Sequence, residues 1–390
     1  MTVSRVACLN WRNITECDIP LCDGINVLWG MNAQGKSNIL ECIYFFARGR
    51  SFRGAREKEL IRFGSDYSVA RVDFLRDGYT HDTALEATLT QSGKKRLTRN
   101  DAPLTPAEMM GSFRAVLFCP ANLTVVSGGP LERRTFLDVA LSQLSPKYLS
   151  CVRRYSHLLA ERNALLKQAA SGQSVSAEEW EVYAEAMSEQ AAWIAAFRRE
   201  YTEMLNAAVG RYFSGMTGGR EVPQLTYTSH ALTDEMPSPL SKPGKEPDRS
   251  VLISKLTENI EREIAAGSTL WGTHKDDIGI TLNGKEAKLY ASQGQQRSIV
   301  LSMKLGEAEI AREIGGEYPV ILLDDVFSEL DEERRKYILS SLGGGNRQII
   351  ITSCEPDVIP EKGTGRVNFL RVENGEVRCD GTREAVGDDD

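Results

Sequence analysis

Apolar and polar positions alternate with different periods along this chain, and the changes of period mark its parts. Val3 to Leu9 reads as a strand, and Ile25-Asn26-Val27-Leu28-Trp29, a run of apolar and β-favouring residues ending in glycine, reads as another. From Asn38 to Phe46 the apolar residues Ile39, Leu40, Ile43 and Phe46 recur at helical spacing, so the segment Gly30 to Ser37 lies between a strand and a helix. Val69–Leu75, Thr83–Thr90 and Lys94–Thr98 have the texture of antiparallel strands, with Ser92-Gly93 as a turn, and predict a β-rich subdomain added to an α/β core. Beyond Leu149 one helical stripe carries Leu149, Val152, Tyr155, Leu159 and Leu166, and a second carries Trp180, Tyr183, Met187, Ala191, Ile194, Tyr201 and Leu205. Ser171-Gly172-Gln173-Ser174 separates them, and Ser176-Ala177-Glu178-Glu179 has the spacing of a capping box, so the pair predicts a short antiparallel helical arm. Met236-Pro237-Ser238-Pro239 through Pro247 is polar and proline-rich and predicts a mobile loop. A helix over Val251–Ala266 follows, then strands near Gly279–Leu282, a helix over Gln293–Ile314, the strand Val320–Leu323, a last core strand Gln348–Thr352, and a frayed acidic tail, Gly387-Asp388-Asp389-Asp390. No internal repeat is visible. The expected division is a head of residues 1–140 and 265–390 with a helical lobe of residues 141–264 inserted.

Composition narrows the classes of function. With 390 residues, 41% of them hydrophobic, the chain can bury one large core and a smaller second one. No apolar run is long enough to cross a membrane, and the N-terminus lacks the pattern of a signal peptide, which points to the cytoplasm and no membrane partner. The eight cysteines form no Cys-x-x-Cys pair and several sit in apolar stretches, as reduced thiols packed like small hydrophobes do. A net charge of −7 excludes a surface basic throughout, so any contact with nucleic acid must come from local patches. Three such groups stand out: Arg48, Arg50, Arg53, Arg56 and Lys58; Lys94, Lys95, Arg96 and Arg99; and Arg133 with Arg134. Each reads equally as a phosphate-contacting patch or as an ordinary solvated face, and none belongs to a base-reading module, so any binding should follow DNA shape rather than sequence.

The segment Gly30-Met31-Asn32-Ala33-Gln34-Gly35-Lys36-Ser37 matches G-x-x-x-x-G-K-[ST]. Its glycines let backbone N–H groups wrap phosphates, Lys36 reaches the terminal phosphates, and the Ser37 hydroxyl is placed to ligate Mg2+, so the expected cofactors are ATP and Mg2+. Far downstream, Val320-Ile321-Leu322-Leu323-Asp324-Asp325 ends a buried strand on two acids: Asp324 is the candidate magnesium partner and Asp325 the candidate base for the attacking water. The distance between these motifs and the absence of Asn-Lys-x-Asp exclude a small GTPase. Ala291-Ser292-Gln293-Gly294-Gln295-Gln296-Arg297 opens a predicted helix, whose free N–H groups make a second anion site at Ser292, Gln293, Gly294 and Gln295. An ordinary serine cap would account for Ser292 but not for the residues after it. One chain cannot easily present both sites to one nucleotide, which implies a two-fold homodimer with ATP held between the copies.

Ser292-Gln293-Gly294-Gln295-Gln296-Arg297 resembles the signature motif of the RecF family, and Ser328-Glu329-Leu330-Asp331 resembles the D-loop of ABC ATPases. Ser51-Phe52-Arg53, Gly129-Pro130-Leu131-Glu132-Arg133-Arg134-Thr135-Phe136-Leu137-Asp138, and Gly272-Thr273-His274-Lys275-Asp276-Asp277 followed by Leu282-Asn283-Gly284 resemble the same family, so the likeness covers most of the chain. It implies an α/β fold: an ABC-type ATPase head, with a P-loop sheet and an antiparallel β-subdomain, plus an inserted α-helical arm lobe. It also implies ATP-dependent dimerisation, binding of double-stranded DNA at gaps and single-strand/double-strand junctions, slow ATP hydrolysis, and loading of recombinase together with the RecO and RecR proteins. The family usually has proline and arginine where this chain has Thr273 and Lys275, which keeps a charge but loses arginine's planar fork. Thr352-Ser353 stands where ABC transporters carry a switch histidine; a hydroxyl is no general base near neutral pH, so Thr352 is expected to sense the γ-phosphate by hydrogen bond. A nucleotide-gated scaffold with incidental hydrolysis needs the same residues and remains the alternative. Transporter ATPases and long-armed SMC or Rad50-like tethers fit less well, since the switch histidine, the long arms and a Cys-x-x-Cys hook are missing.

Overall fold

The computed structural model describes residues 1–233, 235–342, 347–356, 359 and 366–383, and the acidic tail Gly387–Asp390 lies outside them. Two compact units divide the chain, the first of residues 1–123, 212–219 and 300–390, the second of residues 124–211 and 220–299. The helix Pro130–Leu144 and the strand Asp277–Leu282, placed with the head by the sequence pattern, thus belong to the second unit.

In the first unit the apolar runs become neighbours in one sheet, in the order Glu376–Arg383, Val367–Glu373, Ile25–Trp29, Ile349–Ser353, Val320–Asp324, Ala115–Phe118. All but the first of these are parallel, and Ile25, Val27, Val116, Phe118, Ile321, Leu323, Ile349 and Ile351 meet in one buried core, as expected of strands covered on both faces. The antiparallel sheet Ile14–Pro20, Thr2–Trp11, Tyr67–Leu75, Thr83–Thr90, Lys95–Arg99, Ala102–Pro103 forms the β-rich subdomain that the alternation foretold. Ile14–Pro20 and the C-terminal hairpin escape notice in the sequence because charged and polar residues interrupt their apolar pattern. Five cysteines, Cys8, Cys17, Cys22, Cys42 and Cys151, are buried free thiols, whereas Cys354 and Cys379 are exposed.

In the second unit the two stripes form the helices Pro146–Ala170 and Ala177–Thr217, the last turns of the longer one passing into the first unit. They run antiparallel: Tyr148 meets Phe197 with ring centroids 5.6 Å apart, and further out Arg162 lies 5.7 Å from the Trp180 ring. The capping box is present, Ser176 N donating to Glu179 Oε2 (3.1 Å) and Glu179 N to Ser176 Oγ (3.2 Å). The proline-rich segment is irregular, but it is tied down rather than loose. The buried Glu200 accepts the backbone N–H groups of Leu240 (2.6 Å) and Ser241 (2.9 Å), and Arg199 donates to the carbonyls of Met236 and Pro237 (3.3 and 3.1 Å). The helix expected over 251–266 is two, Ser250–Glu258 and Ile260–Ala266, broken at Asn259, whose side chain bonds back to Lys255 O at 2.9 Å.

Candidate functional site

Three neighbouring parallel strands end at one place. The phosphate-loop motif leaves Ile25–Trp29, Thr352 stands near the end of Ile349–Ser353, and Asp324 closes Val320–Asp324, in a register that sets Ser353 beside Trp29 and Asp324 beside Thr352. Gly30 has φ +149°, and a Cβ there would stand 2.3 Å from Val372 O, so only glycine fits. Ala33 (φ +65°) and Gly35 (φ +113°) turn the loop left-handed before the helix Lys36–Arg48, a conformation that directs successive N–H groups into a concave anion nest. The Lys36 ammonium is buried and donates to the carbonyls of Gly30 (2.6 Å) and Met31 (2.7 Å). Gln34 is anchored from outside, its carbonyl accepting Gly375 N at 3.0 Å, and Asn32 accepts a bond from Cys354 Sγ at 3.1 Å.

The two aspartates are joined by one hydroxyl. Thr352 Oγ1 donates to Asp324 Oδ1 (3.0 Å) and accepts Asp325 N (2.9 Å). Asp324 is buried, and among the described residues no lysine or arginine pairs with it. A carboxylate buried beside an anion nest without a cationic partner fits a divalent ion, and no cluster of three or more acids, histidines or cysteines is available among the described residues to cage one. Ser37 and Asp324 therefore suit an ion that takes its remaining ligands from phosphate and water. Asp325 is exposed, with a left-handed backbone (φ +52°), and its carbonyl accepts the Ser328 hydroxyl at 2.8 Å.

Beside the loop opens a cleft of about 1380 Å³, lined among others by Arg12, Asn13, Asn38, Arg53, Ile61 and Phe63. Asn13 links it to the loop, donating to Ala33 O (3.3 Å) and accepting Asn38 Nδ2 (2.7 Å). The buried Glu41 grips Arg12 through both carboxylate oxygens (2.8 and 2.9 Å) and accepts the Ser51 hydroxyl, and Ser51 in turn accepts Arg53 N at 3.0 Å. Phe63 is fully exposed at the lip. No spacing along the chain marks Arg12, Asn13, Ile61 or Phe63; a fully exposed aromatic is conspicuous only in three dimensions.

The basic groups separate when placed in space. Arg53, Arg56 and Lys58 are exposed and make no ion pair among the described residues, and Lys94 and Arg96 are exposed on their hairpin. Lys95 is turned inward to Glu57 (2.7 Å) and Gly49 O (3.0 Å), over the ring of Phe45. Arg48 is half-buried, and desolvation lowers its pKa. Arg133 and Arg134 are engaged within the second unit, Arg133 bidentate on Asp277 (2.6 and 2.8 Å) and Arg134 on Asp276 O (2.7 Å).

Also in the second unit, Ser292 caps the helix Gln293–Gly315 with a reciprocal pair: Ser292 N donates to Gln295 Oε1 (2.7 Å) and Gln295 N to Ser292 Oγ (3.3 Å). Ser292 and Gln293 are exposed, and the first N–H groups of the helix have no acceptor within it.

A left-handed phosphate loop on a parallel sheet, two acids at the end of an adjacent strand, an antiparallel β-subdomain and an inserted helical unit together define an ABC-type ATPase head. The model of the RecF/RecN/SMC N-terminal domain matches residues 2–376. The chain is 35% identical to the DNA replication and repair protein RecF of Ruminiclostridium cellulolyticum over 97% of its length and 99% of that protein, and 37% identical to RecF of Symbiobacterium thermophilum over 95% and 96%. A solved structure of the recombination mediator protein RecF with ATP in the RecFOR pathway superposes with a TM-score of 0.86 at 31% identity, covering 97% of this chain and 98% of that one. The Smc head bound to the C-winged helix domain of ScpA shares the fold, with a TM-score of 0.57 at 14% identity over 98% of both chains. The chain belongs to the RecF family of DNA replication and repair proteins. No helix among the described residues is long and apolar enough to cross a membrane.

Proposed function

We propose that the chain is an ATP-dependent recombination mediator that dimerises on ATP, binds double-stranded DNA at gaps and single-strand/double-strand junctions, and helps load recombinase together with RecO and RecR, hydrolysing ATP slowly. The observation that carries this reading is the meeting of the phosphate loop, Thr352 and the Asp324–Asp325 pair at the ends of three adjacent parallel strands. Bound ATP with Mg2+ would supply a phosphoanhydride whose terminal phosphoryl group is open to attack by water. Residues 30–37 would bind the phosphates through backbone N–H groups, with Lys36 exchanging its two carbonyl partners for phosphate oxygens, and Ser37 and Asp324 would hold the metal. Asp325 orients the water and takes its proton. Thr352, expected from the sequence to bond the γ-phosphate, instead commits its hydrogen to Asp324 and so holds the acids in register, and with no imidazole at the switch position turnover is slow. The adjoining cleft, with Ile61 and Phe63 in its lining, is where the nucleoside of a nucleotide anchored at the loop would lie. Arg53 and Lys58 line that cleft, so DNA phosphates fall to the exposed Arg56, Lys94 and Arg96. Ser292 to Gln295 complete the site from the second copy.

The test is the solution mass by light scattering with no nucleotide, ADP, or ATP and magnesium, at fixed salt with duplex DNA added last. Wild type should double in mass only with ATP and then retain DNA, and Ser292→Arg should stay single. A mass indifferent to ATP overturns the shared-nucleotide reading and leaves the nucleotide-gated scaffold.

A further inference from the structure

Two segments have no part in the nucleotide chemistry, Gly129–Asp138 and Gly272–Asp277, and the structure makes them each other's partners. Arg133 forks onto Asp277 through Nε–Oδ1 (2.6 Å) and Nη2–Oδ2 (2.8 Å) while its Nη1 donates to Gly128 O (3.2 Å). Arg134 donates to Asp276 O (2.7 Å). From the long helix, the buried Arg198 donates to Asp276 Oδ2 (2.8 Å), Thr273 O (2.9 Å), Asp138 Oδ1 (2.8 Å) and Tyr148 Oη (2.9 Å), and the Tyr227 hydroxyl donates to Asp276 as well. Three arginines from two helices thus fix one short segment of six residues, and Lys275, one of its two departures from the family pattern, is exposed outside this set.

We propose that this arginine clamp positions the signature segment, with Arg133 and Asp277 as positioning residues for Ser292. Asp277 opens the strand Asp277–Leu282, and the chain runs directly on through Lys285–Glu286 and Ala287–Tyr290 to Ser292. That strand is the central one of three and pairs along its whole length with Pro223–Thr228, so the fork on Asp277 fixes the starting point of a strand whose direction the ladder already sets. A bidentate guanidinium–carboxylate pair fixes angle as well as distance, which a point charge such as lysine does not. Ser292 and Gln293 are exposed; Gln295 Nε2 ties their turn to Glu221 Oε1 (2.5 Å) on one side, and on the other the turn continues from the hairpin that Asp277 opens. The same engagement takes Arg133 out of the pool of cations open to DNA.

The inference rests on the proposed role of Ser292 in a second copy's site, and its test separates the two. In Arg133→Lys, which keeps the charge and loses the fork, amide exchange over residues 286–296 of the nucleotide-free protein should quicken by about tenfold, and ATP-driven association should weaken by about tenfold, since a positioned site feels a displacement of its support. Affinity for a fluorescent ATP analogue, which reads the phosphate loop, should stay within about twofold of wild type. The reciprocal exchange Arg133→Asp with Asp277→Arg should recover part of the association, while either change alone should not. Unchanged exchange in Arg133→Lys overturns the clamp, and so does faster exchange with association intact, which would mean a structural role only. Should wild type itself fail to associate with ATP, the proposed dimer is wrong, and the exchange measurement still decides whether Arg133 holds the signature hairpin.

Discussion

The two helix N-termini proposed as anion sites, at Lys36 and at Ser292, are built in opposite ways. At Lys36 the loop is locked by its surroundings: Val372 O excludes any side chain at Gly30, two carbonyls hold the lysine, and the parallel sheet sets the acids alongside. At Ser292 the turn is exposed at Ser292 and Gln293, held by its own cap and by Gln295 on Glu221, and it follows a strand whose first residue is fixed by an ion pair. A site that must close on its ligand from one side is well served by rigidity; a site that must travel to a nucleotide held elsewhere needs only a well-aimed tip on a firm root. The locked site should therefore fail by local stereochemistry and the exposed one by loss of aim.

The largest effect expected falls on the locked site's chemistry. Asp325→Asn should lower ATP turnover by about 100-fold or more, the usual contribution of a positioned base, while leaving nucleotide affinity near wild type. If the same variant supports repair normally, hydrolysis is incidental and the scaffold alternative gains. Gly30→Ala comes next: a residue forced to φ +149° against a carbonyl oxygen costs about 3 kcal/mol or more in the bound geometry, so the titrated affinity for ATP should fall by about 100-fold. An alanine variant that binds normally would show the loop to be far more pliant than its contacts indicate.

A subtler contrast comes from titration around the clamp. Burial pushes Asp276 up to about 6 against the pull of Arg198, and burial pushes His274 down to about 4. A carboxyl raised on folding stabilises the fold below its unfolded value and loses that contribution as pH climbs through 6. An imidazole lowered on folding stabilises above its unfolded value near 6.5 and loses that as pH falls towards 4. The two slopes oppose one another across the same window. Replacing His274 by asparagine removes one of them, so the gap in melting temperature between wild type and His274→Asn should widen as pH rises from 4 to 6.5; a gap that stays constant would mean that His274 is not held neutral. The smallest effect expected is at Glu200. Glu200→Ala should cost about 1–3 kcal/mol, through the N–H groups left without their acceptor, and should open the segment 236–247 to limited proteolysis. Cleavage no faster than in wild type would show that Arg199 suffices to hold the segment.

Much of the fold could be read from residue order. Ile25–Trp29 and Val320–Asp324 announce themselves as apolar runs, and the Ser176/Glu179 box forms as its spacing demands. The proline-rich segment was misleading, because composition records the lack of regular structure and says nothing of a carboxylate forty residues upstream that binds its backbone. Asn259 interrupts a stretch whose periodicity continues unbroken, since a side chain bonding its own backbone leaves no mark on the apolar stripe.

By itself the sequence determined the phosphate loop, the acidic pair, the signature turn and the family to which they belong, because the conformations these need, left-handed glycines and helix caps, are dictated by adjacent residues. Only the tertiary structure decided which cations are free, that Arg12 and Phe63 flank the loop, and that Gly129–Asp138 and Gly272–Asp277 are partners. Those facts depend on ion pairs and contacts such as Arg133 with Asp277 and Lys95 with Glu57, between residues that no spacing along the chain relates, and it is the fold that brings them within bonding distance.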